Sequence, residues 1–356
     1  MENLLVEASE LLHRGRRLVL ARIIRREGSA PRATGTQCII REDGTLLGTI
    51  GGGFLEHRVI LGARDVLKEG RSIIHPFHLA GEGLTQAGMV CGGKVDVYLE
   101  PLSPENRRTV EVFGGAADLI RAGRRGVLVT LVEEGVSADD PESRVLLPEG
   151  EPPVGTIRGL SDASPDFSRI KSPRIVELQH RRLTLFAEPV EADSVLLLFG
   201  AGHISTSVAP LASMVGFRVV VIDDREEFAN RERFPTADEV LVLPFDEVFD
   251  HLQVTQDSYL VIVTRGHLSD RTVLRSALTT SPAYIGMIGS ERKRAAIYQS
   301  LVDEGVPRER LERVHSPIGL EIGAETPEEI AVSIVGEIIR MRAERSRCER
   351  ERNCPA

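Results

Sequence analysis

Residues 194–205 read SVLLLFGAGHIS and decide the fold of the second half of the chain. The apolar run before Gly200 is short and continuous, as a parallel strand buried on both faces requires. Gly200-x-Gly202-x-x-Ser205 follows it directly and opens a segment with helical spacing. The first glycine permits a tight turn, the second lets a phosphate approach the backbone, and the helix dipole attracts its charge. This order predicts a dinucleotide-type binding loop.

The same pattern continues after this loop. The next apolar run ends at Asp223, 18 residues past Ser205, where a carboxylate typically accepts a hydrogen bond from a ribose hydroxyl. Further apolar runs alternate with helical segments, and such alternation predicts an α/β fold. We expect a Rossmann-like doubly wound parallel sheet over residues 191–345. The alternative for the loop is a glycine turn that serves only packing and binds no nucleotide.

Polar residues follow two other strands of this predicted sheet. Arg265 and His267 come after one apolar run, and Ser290 and Arg292 come after another. Because ligands of open α/β sheets bind at the carboxyl ends of the strands, these residues are candidates for holding an anion. His203 and His267 are candidate proton carriers or polar binders. The alternatives are a solvated first helical turn for Arg292 and ordinary loop histidines for the other two.

The first half of the chain has a different character. Short β-like runs dominate it, with one helical stretch at 54–70, and the turn at Asp43-Gly44 predicts a hairpin. We expect an N-terminal α+β domain over residues 1–190, in which the Pro- and Gly-rich segment 105–190 is a connector or insertion.

The C-terminal end carries a helix start signal. Thr326 is the predicted N-cap, Pro327 the first helical residue and Glu329 its capping-box partner. The charged residues 346–356 are predicted to form a disordered tail.

Three consecutive glycines form a second candidate cradle. Gly51, Gly52 and Gly53 follow a β-like run and precede a helix that begins at Phe54. Glycines before a helix N-terminus expose N–H groups and admit a bulky anion. Glu56 lies in the first helical turn, where capping or dipole compensation is its simplest role, and binding of the ligand is the alternative.

A cysteine in a glycine-rich loop is the third candidate. Cys91 precedes Gly92 and Gly93, so its sulfur could reach a ligand while backbone donors lower the thiol pKa. The alternative is a small buried hydrophobic residue. Cys38 lies inside a β-like run and is predicted to be structural.

Composition excludes several classes of protein. The net charge of −9 argues against a nucleic-acid binder. No apolar run is long enough to cross a membrane. Four irregularly spaced cysteines form neither a disulfide framework nor a zinc pattern. We therefore expect a cytoplasmic protein, and a homodimer as the common arrangement.

Taken together, these motifs resemble the XdhC/CoxI family. The resemblance spans nearly the whole chain except residues 105–190. It rests in the first half on Gly28-Ser29-Ala30-Pro31-Arg32, the Gly51–Gly53 turn with Leu55-Glu56, and Cys91-Gly92-Gly93 with Glu100-Pro101, and in the second half on FGAGHIS, GFRVVVIDDR, RFP, VTRGH, YIGMIGS, RVHSPIGL and ETPEEIAVSI.

The resemblance implies an accessory protein for molybdenum hydroxylases such as xanthine dehydrogenase, a cofactor chaperone more than a catalyst. Such a protein would bind the molybdenum cofactor, as molybdopterin or its dinucleotide, assist its sulfuration with a cysteine desulfurase and deliver it to the hydroxylase apo-subunit. Cys91 is then the candidate molybdenum ligand or sulfur-handling residue, and the Gly51–Gly53 turn the candidate phosphate or pterin cradle. Many CoxI-type relatives have a cysteine where this chain has Gly53, so Cys91 would act alone. The chain lacks the iron–sulfur cysteine pattern of the hydroxylases themselves.

Two other functions remain open from the residues. One is an NAD(P)-dependent oxidoreductase that uses the Gly200 loop and Asp223, with His203 or His267 as acid–base group. The other is a nucleotide-binding regulatory module that carries no molybdenum cofactor.

Overall fold

The computed structural model describes residues 3–28, 32–78, 93–160 and 165–351. The chain divides into two compact units, with the boundary between Ala192 and Asp193. Each unit is described by itself.

The N-terminal unit begins with an antiparallel sheet in the order β3-β2-β1-β5-β4. Its strands are β1 (Leu18–Glu27), β2 (Gln37–Arg41), β3 (Leu46–Gly48), β4 (Ile73–His78) and β5 (Lys94–Leu102), with helices α1 (Leu4–His13) and α2 (Gly53–Glu69). The predicted hairpin is confirmed: β2 and β3 pair antiparallel across a turn in which Gly44 has φ +82°. Leu55, Val59, Ala63 and Val66 of α2 recur at helical spacing and are buried with the apolar residues of this sheet.

Residues 105–190, expected as a connector or insertion, form a second antiparallel sheet in the order β8-β7-β6-β10-β9. Helix α3 (Arg107–Arg121) precedes the strands β6 (Gly126–Leu131), β7 (Ser143–Pro148), β8 (Val154–Ile157), β9 (Arg174–Leu178) and β10 (Leu183–Val190). Residues of α1, α3 and both sheets share one apolar cluster. Sequence reasoning missed this sheet because its strands are short and separated by Pro, Gly and Asp residues, which read as loop.

Strands of both sheets contribute four charged side chains to the interior of this unit. Arg22, Glu100, Arg144 and Glu188 are each at most 3% exposed. Glu100 accepts from Nη1 of Arg22 at 3.0 Å and from Nη2 of Arg144 at 2.7 Å, and Glu188 pairs with Nε of Arg22 at 3.2 Å. Burial raises the pKa of Glu188, although Arg22 acts in the opposite direction. The two sheets therefore share a desolvated ion network.

The C-terminal unit contains a six-stranded sheet in the order β13-β12-β11-β14-β15-β16, and every pair is parallel. The strands are β11 (Val195–Phe199), β12 (Arg218–Asp223), β13 (Glu239–Val242), β14 (Ser258–Ile262), β15 (Tyr284–Met287) and β16 (Val314–His315); the helices are α4 (His203–Met214), α5 (Val248–His251), α6 (His267–Ala277), α7 (Glu291–Asp303), α8 (Arg308–Leu311) and α9 (Pro327–Glu351). Alternate residues of these strands belong to two separate apolar clusters, so the sheet is covered on both faces. The α/β fold with a Rossmann-like C-terminal sheet is confirmed.

Helix α9 begins as the sequence predicts. The Thr326 hydroxyl accepts from the Glu329 amide at 3.2 Å, and the Glu329 carboxylate accepts from the Thr326 amide at 3.1 Å. The helix continues to Glu351, so the first six residues of the predicted disordered tail are helical. Residues 352–356 of that tail lie outside the described residues.

Candidate functional site

The Gly200 loop lies where strand order reverses in the C-terminal sheet. Strand β11 has β12 on one side and β14 on the other, and a ligand crevice forms at the carboxyl ends of strands at such a point. Gly200 has φ +102°, and a Cβ there would lie 2.5 Å from the Val263 carbonyl oxygen. The hydroxyl of Ser205, which replaces the usual third glycine, donates to the Gly200 carbonyl. Gly200 is therefore required by the packing of the loop itself.

Gly202 has no such structural requirement. It is the N-cap of α4 with φ −80°, and a Cβ would meet no heavy atom of the described chain within 4 Å. Gly266, the N-cap of α6, has φ −170° and the same empty space. Among the described residues, no side chain caps either helix. The first-turn N–H groups of both helices are thus open to a ligand.

Asp223 ends β12 and is bonded within the protein. Its carboxylate accepts from the Ala201 amide at 2.8 Å and from the Arg225 amide, Nε and Nη2 at 3.2, 2.9 and 3.1 Å. Burial would raise the pKa of Asp223, but the hydrogen bonds from Arg225 and Ala201 outweigh it and hold the pKa below its usual value. The residue predicted to bind a ribose therefore fixes the glycine loop in this structure, and its ribose contact stays a prediction.

The other predicted residues of this crevice differ in what they contact. Arg265 forms a bidentate pair with Asp224, at 3.0 and 2.9 Å. His203 and His267 are exposed first residues of α4 and α6, which follow the neighbouring strands β11 and β14.

The start of α7 holds the last two predicted residues. Ser290 is its N-cap and accepts from the Lys293 amide at 3.3 Å, and Arg292 is exposed. The predicted residues of the C-terminal unit therefore lie at the carboxyl ends of four strands, β12, β11, β14 and β15. These strands are neighbours, so the residues share one edge of the sheet.

Sequence reasoning missed an ion pair between a buried carboxylate and a partly exposed lysine at the same edge. Asp270 is 0% exposed, accepts from the Thr264 hydroxyl at 2.6 Å and pairs with Lys293. Burial raises the pKa of Asp270, against the effect of the hydrogen bonds from Lys293 and Thr264. A Cβ at Gly289 would lie 2.9 Å from Cδ of Lys293, so that glycine leaves room for the lysine to reach its partner. Asp270 ends the motif TRGHLSD and Lys293 ends the motif GSERK, so both residues were visible in the sequence. That they pair with each other depends on the tertiary fold.

A second missed carboxylate explains the motif RVHSPIGL. Glu337 of α9 accepts from the Tyr284 hydroxyl at 2.5 Å and from the Gly319 amide at 2.9 Å, and it lies 3.4 Å from Nδ1 of His315. Burial acts to raise the pKa of Glu337, but the hydrogen bonds from His315, Tyr284 and Gly319 lower it to about 2. The motif therefore anchors the last strand to α9.

Helix α2 begins at Gly53, one residue before the predicted start at Phe54, so Gly51 and Gly52 precede the helix and Gly53 is its first residue. All three glycines have positive φ, and a Cβ at Gly52 or Gly53 would meet no described atom within 4 Å. Glu56 reaches back from α2: its Oε1 accepts from the Thr49 hydroxyl at 2.6 Å and from the Ile50 and Gly52 amides at 3.2 and 3.0 Å. The carboxylate therefore already binds two N–H groups of the turn. An anion at this turn would therefore accept hydrogen bonds from the first-turn N–H groups of α2.

Glu56 gives a pH-dependent prediction. The Thr49 hydroxyl and the turn amides lower the pKa of Glu56, against a smaller effect of burial. A lowered folded-state pKa stabilises the fold above the unfolded value of about 4.3, and the contribution is lost as pH falls through the folded value. We expect Glu56→Gln to lower the free energy of unfolding by about 1–2 kcal/mol at pH 7. The loss should be much smaller at an acid pH that protonates Glu56 in the folded protein. Urea unfolding with circular dichroism measures both values. Asp65→Asn, which replaces an exposed carboxylate of α2, is the control. An equal loss for Glu56→Gln at both pH values would contradict the assignment.

The predicted Cys91 site lies partly outside the described residues. Cys91 and Gly92 are not described, and Gly93 is buried directly before β5. Among the residues that are described, no group of three or more His, Cys, Asp or Glu side chains could hold a metal ion. Cys38 is fully buried on β2, as predicted, and burial raises the pKa of its thiol to about 12, with a further contribution from Glu56.

These properties predict a low reactivity for the Cys38 thiol in the folded protein. A thiol with a pKa near 12 is almost entirely protonated at pH 8, and the thiolate is the reactive form. We expect Cys38 to resist iodoacetamide in the native protein and to react fully in urea, as read by peptide mass spectrometry. Alkylation of Cys38 in the native protein as fast as in urea would contradict this.

No helix within the described ranges is long and apolar enough to cross a membrane.

Two protein families match this chain. The XdhC Rossmann domain matches residues 196–338, and the XdhC and CoxI family matches residues 11–78. Together they cover more than half of the chain and include the Gly51–Gly53 turn and the Gly200 loop.

Several known proteins are similar along most of the chain. A Bacillus subtilis protein described as a probable subunit of xanthine dehydrogenase is 28% identical over 91% of this chain and 93% of its own length. The molybdenum cofactor insertion chaperone PaoD of Escherichia coli is 22% identical over 96% of this chain and 89% of its own. The uncharacterized Escherichia coli protein YqeB is 25% identical over 96% of this chain, which spans only 46% of YqeB.

A solved structure has the same fold. The crystal structure of a protein described as a xanthine dehydrogenase from Bacillus halodurans superposes with a TM-score of 0.78, at 27% identity and over 96% of both chains. Two family matches that include both glycine loops, together with a structural match along nearly the full length, identify this chain as a member of the XdhC and CoxI family.

Proposed function

We propose that this chain is an accessory protein for a molybdenum hydroxylase such as xanthine dehydrogenase. It binds the molybdenum cofactor, assists the replacement of a terminal Mo=O by Mo=S with sulfur from a cysteine desulfurase, and delivers the product to the apo-hydroxylase. The observation that carries the proposal is the similarity, over 96% of the chain, to a relative named as a molybdenum cofactor insertion chaperone. The two family matches support the same accessory role.

The N-terminal turn fits such a cargo. No atom of the described residues lies within 4 Å of a Cβ placed at Gly52 or Gly53, and the first-turn N–H groups of α2 would supply donors for a phosphate or a pterin edge. Glu56 is a positioning residue, since its carboxylate accepts from the Ile50 and Gly52 amides and so fixes the backbone of the turn. A thiolate from Cys91 would suit molybdenum and its sulfur because both are soft.

The chain is not proposed to be the hydroxylase itself. Its four cysteines, at 38, 91, 348 and 354, do not form the pattern that holds iron–sulfur clusters.

Reconstitution of an apo-hydroxylase tests the proposed function. Apo-xanthine dehydrogenase from a cofactor-deficient host is mixed anaerobically with freshly released cofactor, a cysteine desulfurase and cysteine. We expect hydroxylase activity to appear faster, and to reach a higher final level, when the protein is present. This gain should be lost in Cys91→Ala but kept in Cys348→Ala. Equal activation with and without the protein would contradict the proposal.

The Gly200 loop supports a second candidate function, the binding of the diphosphate group of a nucleotide. The observation that favours it is the space that the described residues leave beside Gly202 and Gly266, two glycines whose own backbone conformations do not require glycine. The nucleotide is either a separate dinucleotide such as NAD(P) or the nucleotide part of a dinucleotide form of the cofactor.

Calorimetric titration distinguishes a separate dinucleotide from the nucleotide part of the cofactor. NAD⁺, NADH and cytidine diphosphate are each titrated into the wild type and Gly202→Val. Binding of one ligand that is lost in the variant identifies the source, and turnover of NADH with a carbonyl substrate would favour the oxidoreductase alternative. Equal binding by the wild type and Gly202→Val would show that the Gly200 loop does not contact the nucleotide.

A further inference from the structure

The carboxylate expected to hold a ribose already has its hydrogen-bonding positions filled. Asp223 lies at the end of β12, where an acidic residue of this fold accepts from ribose hydroxyls. One of its oxygens accepts from the Ala201 amide and Nη2 of Arg225, and the other accepts from the amide and Nε of Arg225. A carboxylate offers about four such positions, so a ribose hydroxyl would have to displace Arg225 or the glycine loop.

Arg233 lies at the same place and, among the described residues, has no carboxylate partner. Its Nη2 donates to the Ala201 carbonyl at 3.3 Å, so the guanidinium contacts the glycine loop. Its Nε is buried and donates to no atom of the described chain. Because a buried N–H group without an acceptor costs free energy, a ligand oxygen at this position would be favoured.

The fold fixes Arg233 beside the loop. The Asn230 side chain accepts from the Arg233 amide at 3.1 Å, and the adjacent Phe234 is buried in the core of the unit. The Arg233 guanidinium lies 5.1 Å from the centre of the Phe228 ring, and the Arg225 guanidinium lies 3.7 Å from the same ring. One aromatic ring therefore orients two planar cations next to the Gly200 loop.

The acidic residues nearby do not cancel the charge of Arg233. Asp223 pairs with Arg225, and Asp224 pairs with Arg265. The three glutamates that separate Asp224 from Arg233 in the sequence are all exposed, so water and salt screen much of their charge. Within the part of this unit that the structure describes, Arg233 is thus a positive charge at the glycine loop that a ligand can match.

We infer that the nucleotide bound at the Gly200 loop carries a phosphate on its ribose, and that Arg233 binds this phosphate. The inference rests on the second candidate function, nucleotide binding at this loop. In sites of this fold a free carboxylate accepts from the ribose 2′-hydroxyl, whereas a nearby arginine accommodates a 2′-phosphate. Phosphate oxygens accept from two N–H groups of one guanidinium together, which a single hydroxyl cannot do. The site therefore selects a 2′-phosphorylated dinucleotide such as NADP(H) over NAD(H).

Calorimetric titration of the full chain with two pairs of nucleotides tests this preference. The pairs are NADP⁺ with NAD⁺ and adenosine 2′,5′-bisphosphate with adenosine 5′-monophosphate, and the members of each pair differ only by the 2′-phosphate. We expect the phosphorylated member of each pair to bind at least about tenfold more tightly. Equal or tighter binding of the unphosphorylated members would overturn the inference and leave nucleotide binding at the loop intact. Binding of none of the four would overturn it as well, and titration with cytidine diphosphate then decides the candidate function separately.

Variants of Arg233 test the assigned residue. We expect Arg233→Gln to weaken the binding of NADP⁺ at least about tenfold and to change that of NAD⁺ by less than about twofold. Arg233→Lys should keep part of the preference, because it retains the charge but not the planar fork. Arg218→Gln is the matched control, since Arg218 pairs with Glu239 at the start of β12, the opposite end of the strand from Asp223. An unchanged ratio of the two affinities in Arg233→Gln, with the melting temperature retained, would overturn the role of Arg233.

Discussion

Replacing Glu100 by Gln is expected to destabilise the N-terminal unit by about 3–5 kcal/mol. Glu100 accepts from Arg22 and Arg144, and all three side chains are nearly inaccessible to water. Loss of its charge leaves two buried guanidinium groups with Glu188 as the remaining carboxylate of the network. Uncompensated buried charge costs several kcal/mol, whereas whole domains are stable by only about 5–15 kcal/mol.

Urea unfolding followed by circular dichroism measures this effect, since the chain has no tryptophan. Glu42→Gln is the control, because Glu42 pairs with Arg17 at 3.1 Å with both side chains well exposed, and such pairs contribute less than about 1 kcal/mol. A loss for Glu100→Gln no larger than that of the control would show that the network is not the buried, paired cluster described above.

Gly200→Ala and Gly202→Ala should differ sharply in stability although both change a glycine of one loop. At position 200 the new Cβ would lie 2.5 Å from a carbonyl oxygen at φ +102°, so strain and overpacking together should cost about 3–5 kcal/mol. At position 202 the backbone conformation is ordinary and no described atom lies within 4 Å of the new Cβ, so the loss should stay below about 1 kcal/mol.

Thermal unfolding of the two variants measures the difference. A stable Gly202→Val that has lost nucleotide binding would mark Gly202 as a ligand glycine and Gly200 as a packing glycine. Equal melting temperatures for both alanine variants would contradict this division of roles.

The sequence predicts the parts of the fold that depend on local pattern. The strand, glycine loop and helix around Gly200 are contiguous, and the capping box of Thr326 and Glu329 spans four residues, so both can be recognised without tertiary information. The capping role of Glu56 follows from its place in the first turn of α2, and the structure gives it that role through Ile50 and Gly52.

Features that join distant residues could not be predicted in this way. Arg22 and Glu100 are 78 residues apart, and Glu100 and Arg144 are 44 apart, on strands whose pairing the sequence does not reveal. Each residue alone looks like a solvated charge in an otherwise apolar run. The pairing of Asp270 with Lys293 was missed for the same reason.

The content of molybdenum cofactor in the purified protein tests the central claim most directly. The protein is expressed in a molybdenum-sufficient host and purified without oxygen; pterin is then quantified by fluorescence after oxidation, and molybdenum by mass spectrometry, in the wild type, Cys91→Ala and Cys348→Ala. The account predicts near-stoichiometric pterin and molybdenum in the wild type and in Cys348→Ala, with a marked loss in Cys91→Ala. Absence of pterin from all three proteins, in a host that loads its own molybdenum enzymes, would contradict the account.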